Sequence, residues 1–340
     1  DADKKYWREN HLPIANMVEI SCLAHDIGNP PFGHFGEAAI KEWANSPDIL
    51  TSLNKSLGVI NNNDIINNIL GDFVNFDGNP QGFRILTKLQ GDDGLNGLNL
   101  TYSQLVSFLK YVYCPSDKPK SIDEKHPFSK KIGFFDTEKE VVYSAWDNLN
   151  MPKNKRHPLS FLMEASDDIS YCISDIEDGI EKNIINEDDF FNFVIDGLNY
   201  LKHKFPDKES VCIKFIEILE GKKKNIPTSK FLYFKTSLSN FLVAEVARKF
   251  IEKYYLYMSL SAKHTLINKN DFEYHLLKIL KDYTSKYLFT SYEAEKMELS
   301  GFSIIKGILN EYLAILSLTK EKFISLVTKI LIILMSLVFI

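Results

Sequence analysis

The 340-residue chain is poor in cysteine: Cys22, Cys114, Cys172 and Cys212 are far apart and form no CxxC pair. That leaves no disulfide framework, and reduced core thiols in a cytoplasmic protein account for all four. An excess of either charge is also lacking. The chain carries 40 Lys+Arg against 45 Asp+Glu, a net charge of −5, so it has no global nucleic-acid footprint. Local Lys clusters, such as Lys222 to Lys224, read as solvated loops rather than phosphate sites. The N-terminus is charged and lacks the apolar core of a signal peptide. No membrane-length run is present either. From Ile330 to Ile340 only Ser336 interrupts an apolar stretch, and a bilayer needs roughly 20 residues. A core helix cut short, or an aberrant end, accounts for that run better than a membrane anchor. Internal repeats and any regular series of alternating strands are absent.

What remains is a soluble, helical pattern. With 45% hydrophobic residues a large core is expected, in one large or two fused helical domains. Long segments show the 3.6-residue spacing of helices, so the expected fold class is all-α. Loops are expected at Asn61 to Asn63, Gly91 to Asn99, Cys114 to Gly133 and near Gly221 to Pro227. The last suggests a division into residues 1–220 and 221–340. The Asn- and Ile-rich patch near Asn61 is compositional bias.

The densest chemistry lies in LAHDIGNPPFGHFGE, Leu23 to Glu37. His25, Asp26, His34 and Glu37 fall among Gly28, Pro30, Pro31, Gly33 and Gly36. Adjacent His and Asp cannot share a face in mid-helix, but they can converge where a helix stops, and Gly28 with two prolines is a strong stop. Upstream, Ile14, Met17, Val18 and Cys22 are spaced for one apolar helix face that His25 continues. A lone His-Asp pair is satisfied as a helix-end hydrogen bond. A Gly/Pro frame around it is rarely needed to hold solvated residues.

Pro158 to Gly179 reads as a second key helix, with Pro in its first turn. Asp167, Tyr171 and Asp175 follow at i, i+4 and i+8 and share one face. Taken alone, that stripe is a solvated acidic face with a half-packed Tyr. Asp168 points about 100° away from Asp167.

The Leu23 to Glu37 string resembles the signature of the HD-domain deoxynucleoside triphosphate triphosphohydrolases, the dGTPase family. Three further stretches match in order: FDGNPQGFRILTKLQ (Phe76 to Gln90), LTYSQLVSFLKY (Leu100 to Tyr111) and HPLSFLMEASDDISYCISDIEDGI (His157 to Ile180). SGFSIIKGIL, Ser300 to Leu309, is a weaker fifth match. The resemblance implies an HD-domain helical bundle, residues 1–220, with additional C-terminal helices in 221–340. It implies His25, Asp26 and Asp167 as metal ligands, His34 and Glu37 as catalytic residues, and Lys110, Tyr111, Tyr171 and Asp175 as substrate contacts. It leaves Asn79, Gln81 and Arg84, of its GNxQxxR pattern, between a ligand site and a structural polar network. Two His nitrogens with two carboxylates would suit Mn²⁺, Mg²⁺, Fe²⁺ or Co²⁺. The implied reaction is attack on the α-phosphorus of a dNTP, with dGTP foremost, releasing a deoxynucleoside and intact triphosphate. A cytoplasmic location, a homo-oligomer, and a single-stranded DNA or dNTP effector also follow from the resemblance; a membrane does not.

In that family another metal-binding His lies well upstream, in an Arg-x-x-His-Ser/Thr type motif. Here the only upstream His is His11, in ENHLPIAN, which lacks it. The expectation is an N-terminal fragment without its first ligand and its base contacts, and with little or no activity as it stands. Two other readings stay open, a catalytically silent nucleotide- or nucleic-acid-binding regulator on the same fold, and another HD phosphohydrolase or phosphodiesterase. Retention of all five of His25, Asp26, His34, Glu37 and Asp167 favours the enzyme.

Overall fold

Side-chain caps open several of the helices. The computed structural model describes residues 2–58, 70–91, 96–121, 126–222 and 229–338, with side chains for all but 2 and 331–338. The helices are α1 (Ala2–Glu9), α2 (His11–Ala24), α3 (Gly33–Ala44), α4 (Pro47–Leu57), α5 (Gly78–Arg84), α6 (Tyr102–Phe108), α7 (Lys139–Asn148) and α8 (Pro158–Glu181). They continue with α9 (Glu187–Lys204), α10 (Glu209–Leu219), α11 (Lys230–Glu252), α12 (Tyr254–Met258), α13 (Phe272–Tyr283), α14 (Tyr292–Glu311), α15 (Leu313–Leu316) and α16 (Lys320–Val338). No strand occurs among the described residues, so the chain is all-α.

Three starts and stops matter for the site. α2 ends at His25, where the Gly/Pro stretch begins. α6 opens on a capping box, in which the Thr101 side chain accepts from the Gln104 N–H and Gln104 answers the Thr101 N–H. It stops at Leu109, whose extended backbone (ψ 99°) turns Lys110 and Tyr111 out of the helix. α8 starts with Pro158 in its first turn, as the sequence predicts, and His157 caps it by accepting from the Leu159 N–H at 3.3 Å.

α2 lies against both α6 and α8, and α8 also packs on α11 and α13. The main core joins Phe161, Ile169 and Ile176 of α8 to Phe190, Leu198, Phe215, Phe234, Leu242 and Leu276. Each such side chain contributes roughly 1.5–3 kcal/mol by burial. This core runs from Phe161 to Tyr283 and so spans position 220. The division at that point remains a proposal. A second core surrounds Phe83, Phe108, Phe134 and Trp146, beneath α5 and α6. A third gathers Trp43, Ile49, Leu53 and Leu70, with Leu309, Leu313 and Leu316 packed on it.

The expected loop at 61–63 lies outside the described residues, as do 92–95, 122–125 and 223–228 of the other loops. The described parts of those three loops are non-helical. Lys222 pairs with Glu220 at 2.6 Å, while Lys223 and Lys224 lie outside the described residues. All four cysteines are free, and three are buried. The C-terminal apolar run is helical through Val338. Among the described residues one helix, Tyr292–Leu316, is long and apolar enough to cross a membrane, by length and composition alone.

His157 carries a pH prediction. Its Nδ1 also meets the Ser107 hydroxyl at 3.0 Å, and burial pushes its pKa down to about 4 from 6.5. A depressed histidine stabilises the fold in its neutral form, fully above pH 6.5. That contribution, up to about 3 kcal/mol, is lost as pH falls from 6.5 through 4. His157→Asn keeps a capping oxygen without the titration. Thermal unfolding at pH 7.5 and 4.5 is expected to show a smaller acid loss in the variant, and equal losses would contradict this role.

Candidate active site

The end of α2 sets the first side chains of the site. His25 turns its Nδ1 to the Cys22 carbonyl one turn back, which leaves Nε2 facing outward. Nε2 stands 3.1 Å from Asp26 Oδ2 and 3.0 Å from Asp167 Oδ1 of α8. Asn29 donates to the other Asp26 oxygen at 2.9 Å. Lys110, just past α6, reaches Asp167 Oδ2 at 2.9 Å. Ser160 of α8 fixes the approach by donating to the Leu109 carbonyl at 2.6 Å. The buried Arg156 holds Ser160 in turn, through its hydroxyl and its carbonyl, and pairs with Glu164 at 2.6 Å. Asp26 and Asp167, with 140 residues between them in sequence, thus share one cluster.

The charges of the cluster are mutually dependent. Hydrogen bonding to Asp167, then to Asp26, holds His25 far above the usual imidazole range, at about 10. Burial would raise the Asp167 carboxyl, but His25 and Lys110 outweigh it and hold it at about 2. Burial also works against the Lys110 ammonium, and Glu164 and Asp167 more than offset that, leaving it above the usual lysine range.

Donor chemistry and spacing at His25, Asp26 and Asp167 suit a divalent cation with mixed N/O ligands. Two donors about 2.1 Å from one ion and at right angles stand about 3.0 Å apart, as His25 and Asp167 do. Orientation is another matter. Among the described residues no three or more His, Cys, Asp or Glu side chains are disposed, as they stand, to hold a metal ion. His25 Nε2 lies within 3.1 Å of both carboxylates, and Lys110 sits on the second oxygen of Asp167. A ligating histidine must be neutral, so a cation here competes with the proton on His25.

His34 and Glu37 sit on the first turn of α3. His34 Nδ1 pairs with Glu37 Oε2 at 3.0 Å. The His34 side chain is 83% exposed and that of Glu37 only 7%. The Gly78 N–H donates to the other Glu37 oxygen at 2.8 Å. This contact exists because two glycine-rich stretches pack face to face. A Cβ on Gly28 would stand 2.0 Å from the Gly82 nitrogen and 2.1 Å from the Gly78 carbonyl oxygen. Gly28 is therefore required for close approach as well as for stopping α2. The buried Glu37 carboxylate is thus fixed by backbone on one side and presents its other oxygen to His34.

The remaining candidates lie nearby. Tyr111 is partly buried beside Lys110, and both line a cavity of about 970 Å³ that opens towards Lys263 to Asp271 and α13. Tyr171 is half-exposed on α8, one turn from Asp175. Burial and then the Asp175 charge push the Tyr171 hydroxyl up, and burial raises the Asp175 carboxyl. Asp168 faces away, to Lys281 of α13 at 3.0 Å. Arg84 lies in a structural network with Asp72 at 2.7 Å and Glu138 at 3.3 Å, over the Phe135 ring. Asp77 caps α5 by accepting from the Asn79 N–H at 3.1 Å and from its side-chain amide at 2.7 Å, and pairs with Lys131 at 2.7 Å. Sequence reasoning gave no role to the Gly78 N–H, Asn29 or Ser160. All three fall inside the stretches that the resemblance marked, Asn29 in the first of them.

An all-helical protein with a histidine–carboxylate cluster at a helix end, and a His-Glu pair one turn into the next helix, defines the class. No protein-family model matches the chain. Over 336 residues it is 32% identical to the deoxyguanosinetriphosphate triphosphohydrolase of Yersinia enterocolitica serotype O:8 / biotype 1B, covering 93% of this chain and 65% of that relative. Over 334 residues it is 32% identical to the protein of the same name in Serratia proteamaculans, covering 93% and 64%. Over 93% of its length the chain is thus similar to deoxyguanosinetriphosphate triphosphohydrolases. It spans slightly less than two thirds of the length of these relatives.

Proposed function

We propose that the protein hydrolyses deoxynucleoside triphosphates, dGTP foremost, to a deoxynucleoside and inorganic triphosphate, in the cytoplasm and with a divalent cation. The observations that support this reading are the His34–Glu37 pair, anchored by the Gly78 N–H, and the His25–Asp26–Asp167–Lys110 cluster at the end of the preceding helix. The names of the two relatives point the same way.

His25, Asp26 and Asp167 would hold the cation, which when bound supplies Lewis acidity at a phosphoryl group. Mn²⁺, Mg²⁺, Fe²⁺ and Co²⁺ all suit the donor set. Lys110 offers a mobile positive charge to the phosphates, with Tyr111 beside it. Tyr171 stacks on the deoxyribose, leaving little room for a 2′-hydroxyl, and Asp175 accepts from the 3′-hydroxyl. The leaving group is the 5′-oxygen, which departs poorly without a proton. His34 delivers that proton or positions the attacking water, and Glu37 sets the ring. The water oxygen ends on the α-phosphorus, so triphosphate leaves intact and the nucleoside keeps its 5′-oxygen.

The test is product analysis by ³¹P NMR, with the full-length protein, dGTP and Mn²⁺. Triphosphate with deoxyguanosine is expected. Pyrophosphate with dGMP, or phosphate with dGDP, would reject the reading. Binding of dNTPs without turnover would favour a silent nucleotide-binding regulator.

A further inference from the structure

The stretch Ser300 to Leu309 on α14 takes no part in the chemistry above, yet α14 packs lengthwise on α3, which carries His34 and Glu37. Gly301 is the buried residue of α14, whose other side chains are partly or fully exposed. A Cβ on Gly301 would stand 2.1 Å from Cγ of Phe32, inside its ring. Phe32 is the N-cap of α3 and holds the left-handed backbone, φ 64°, which a bulky residue seldom takes. Its carbonyl accepts the N–H groups of Phe35 at 3.2 Å and Gly36 at 3.4 Å, the first bonds of α3. Farther along, Lys306 pairs with Glu42 at 2.6 Å. His34 is largely exposed, with Glu37 as its hydrogen-bond partner, so packing of its own ring does not locate it. Its place depends on the backbone of this first turn.

We propose that Gly301 is a positioning residue for His34. By leaving the α14 surface open to the Phe32 ring, it clamps the turn that starts α3, and so fixes the His34–Glu37 pair relative to the His25–Asp167 cluster. The activity part of this proposal rests on the function proposed above. The structural part does not.

The experiment uses the full-length protein with Gly301→Ala, Phe32→Ala, both together, and Gly307→Ala. Gly307 lies on the same helix, with no atom within 4 Å of an added Cβ, and so controls for the helix itself. Gly301→Ala is expected to lower kcat for dGTP roughly 10-fold or more, because small misplacements of a catalytic group are costly. KM is expected to stay within about twofold, because a group that acts mainly in the transition state contributes little to ground-state binding. Metal content is expected to be unchanged. Gly307→Ala is expected to behave as the parent. The double variant is expected to match Phe32→Ala alone, because the clash is gone. Amide hydrogen exchange at residues 33–37 is expected to quicken in Gly301→Ala, with α8 unaffected.

A folded Gly301→Ala protein with parental kcat and parental exchange at 33–37 would overturn the proposal. So would equal losses at 33–37 and throughout α8 that Phe32→Ala does not relieve, since that is general destabilisation. If the parent has no dNTP turnover, the function reading fails while the exchange data still decide the positioning role.

Discussion

Replacing His34 with alanine in the full-length protein is expected to cut kcat by roughly 10²-fold or more, the range of general acid–base catalysis. Bound metal should hardly change, because the His34 ring is tied to Glu37 and not to the His25 cluster. Stability should hardly change either, since the ring is 83% exposed and covers little apolar surface. Glu37→Gln should lower kcat less. It keeps the shape and an oxygen for the Gly78 N–H but removes the charge that orients the imidazole. Steady-state kinetics with metal analysis on the same preparations decides the matter. Metal and activity lost in equal measure from His34→Ala would mean that His34 is a ligand and its assigned role is wrong.

Asp167→Asn is the second large expected effect, and its pattern is the reverse. Asp167 stands between His25 and Lys110, at 3.0 and 2.9 Å, with its side chain 22% exposed. Without the carboxylate charge the cation loses a ligand, and bound metal and turnover should both fall below detection. The metal-free fold should also weaken, by roughly 1–3 kcal/mol, because the partly buried His25 and Lys110 lose the carboxylate they share and keep only Asp26 and Glu164. The sign follows from the direction of the shift. The Asp167 carboxyl is depressed from 3.8 to about 2, so its stabilisation is present above pH 3.8 and is lost as pH falls through 2. The difference between parent and variant in thermal unfolding should therefore be full at pH 7 and shrink near pH 2. An Asn variant that keeps both metal and turnover would exclude Asp167 from the site.

The helix-borne parts of this site were legible in the sequence because they are local. A Gly/Pro stop after a periodic segment locates the end of α2 at His25. The i, i+4 spacing sets Asp167, Tyr171 and Asp175 on one face of α8 and sends Asp168 elsewhere, to Lys281 as it turns out. Periodicity was a coarser guide to α2. Of its expected apolar face only Ile14 is fully buried, and Ser21 and Ala24 share the interior with it. The long-range partners were not legible. Nothing in residues 33–37 announces that the Gly78 N–H holds Glu37, because that contact depends on two glycine-rich turns lying face to face. The Phe32–Gly301 contact is equally hidden, since a glycine within a helix pattern looks like a weak position until its neighbour is known. Arg84 stood between ligand site and scaffold in the sequence. Its ion pairs with Asp72 and Glu138 place it in the scaffold.

The central claim is that water attacks the α-phosphorus while the 5′-oxygen leaves with a proton that His34 serves. The most direct measurement is turnover of dGTP in H₂¹⁸O by the full-length protein with Mn²⁺, followed by mass spectrometry of both products. The account predicts one ¹⁸O in the triphosphate and none in the deoxyguanosine. Label in the deoxyguanosine would place the cleavage at the carbon–oxygen bond, and label in pyrophosphate or dGMP would place the attack at a different bond of the chain; either result contradicts it.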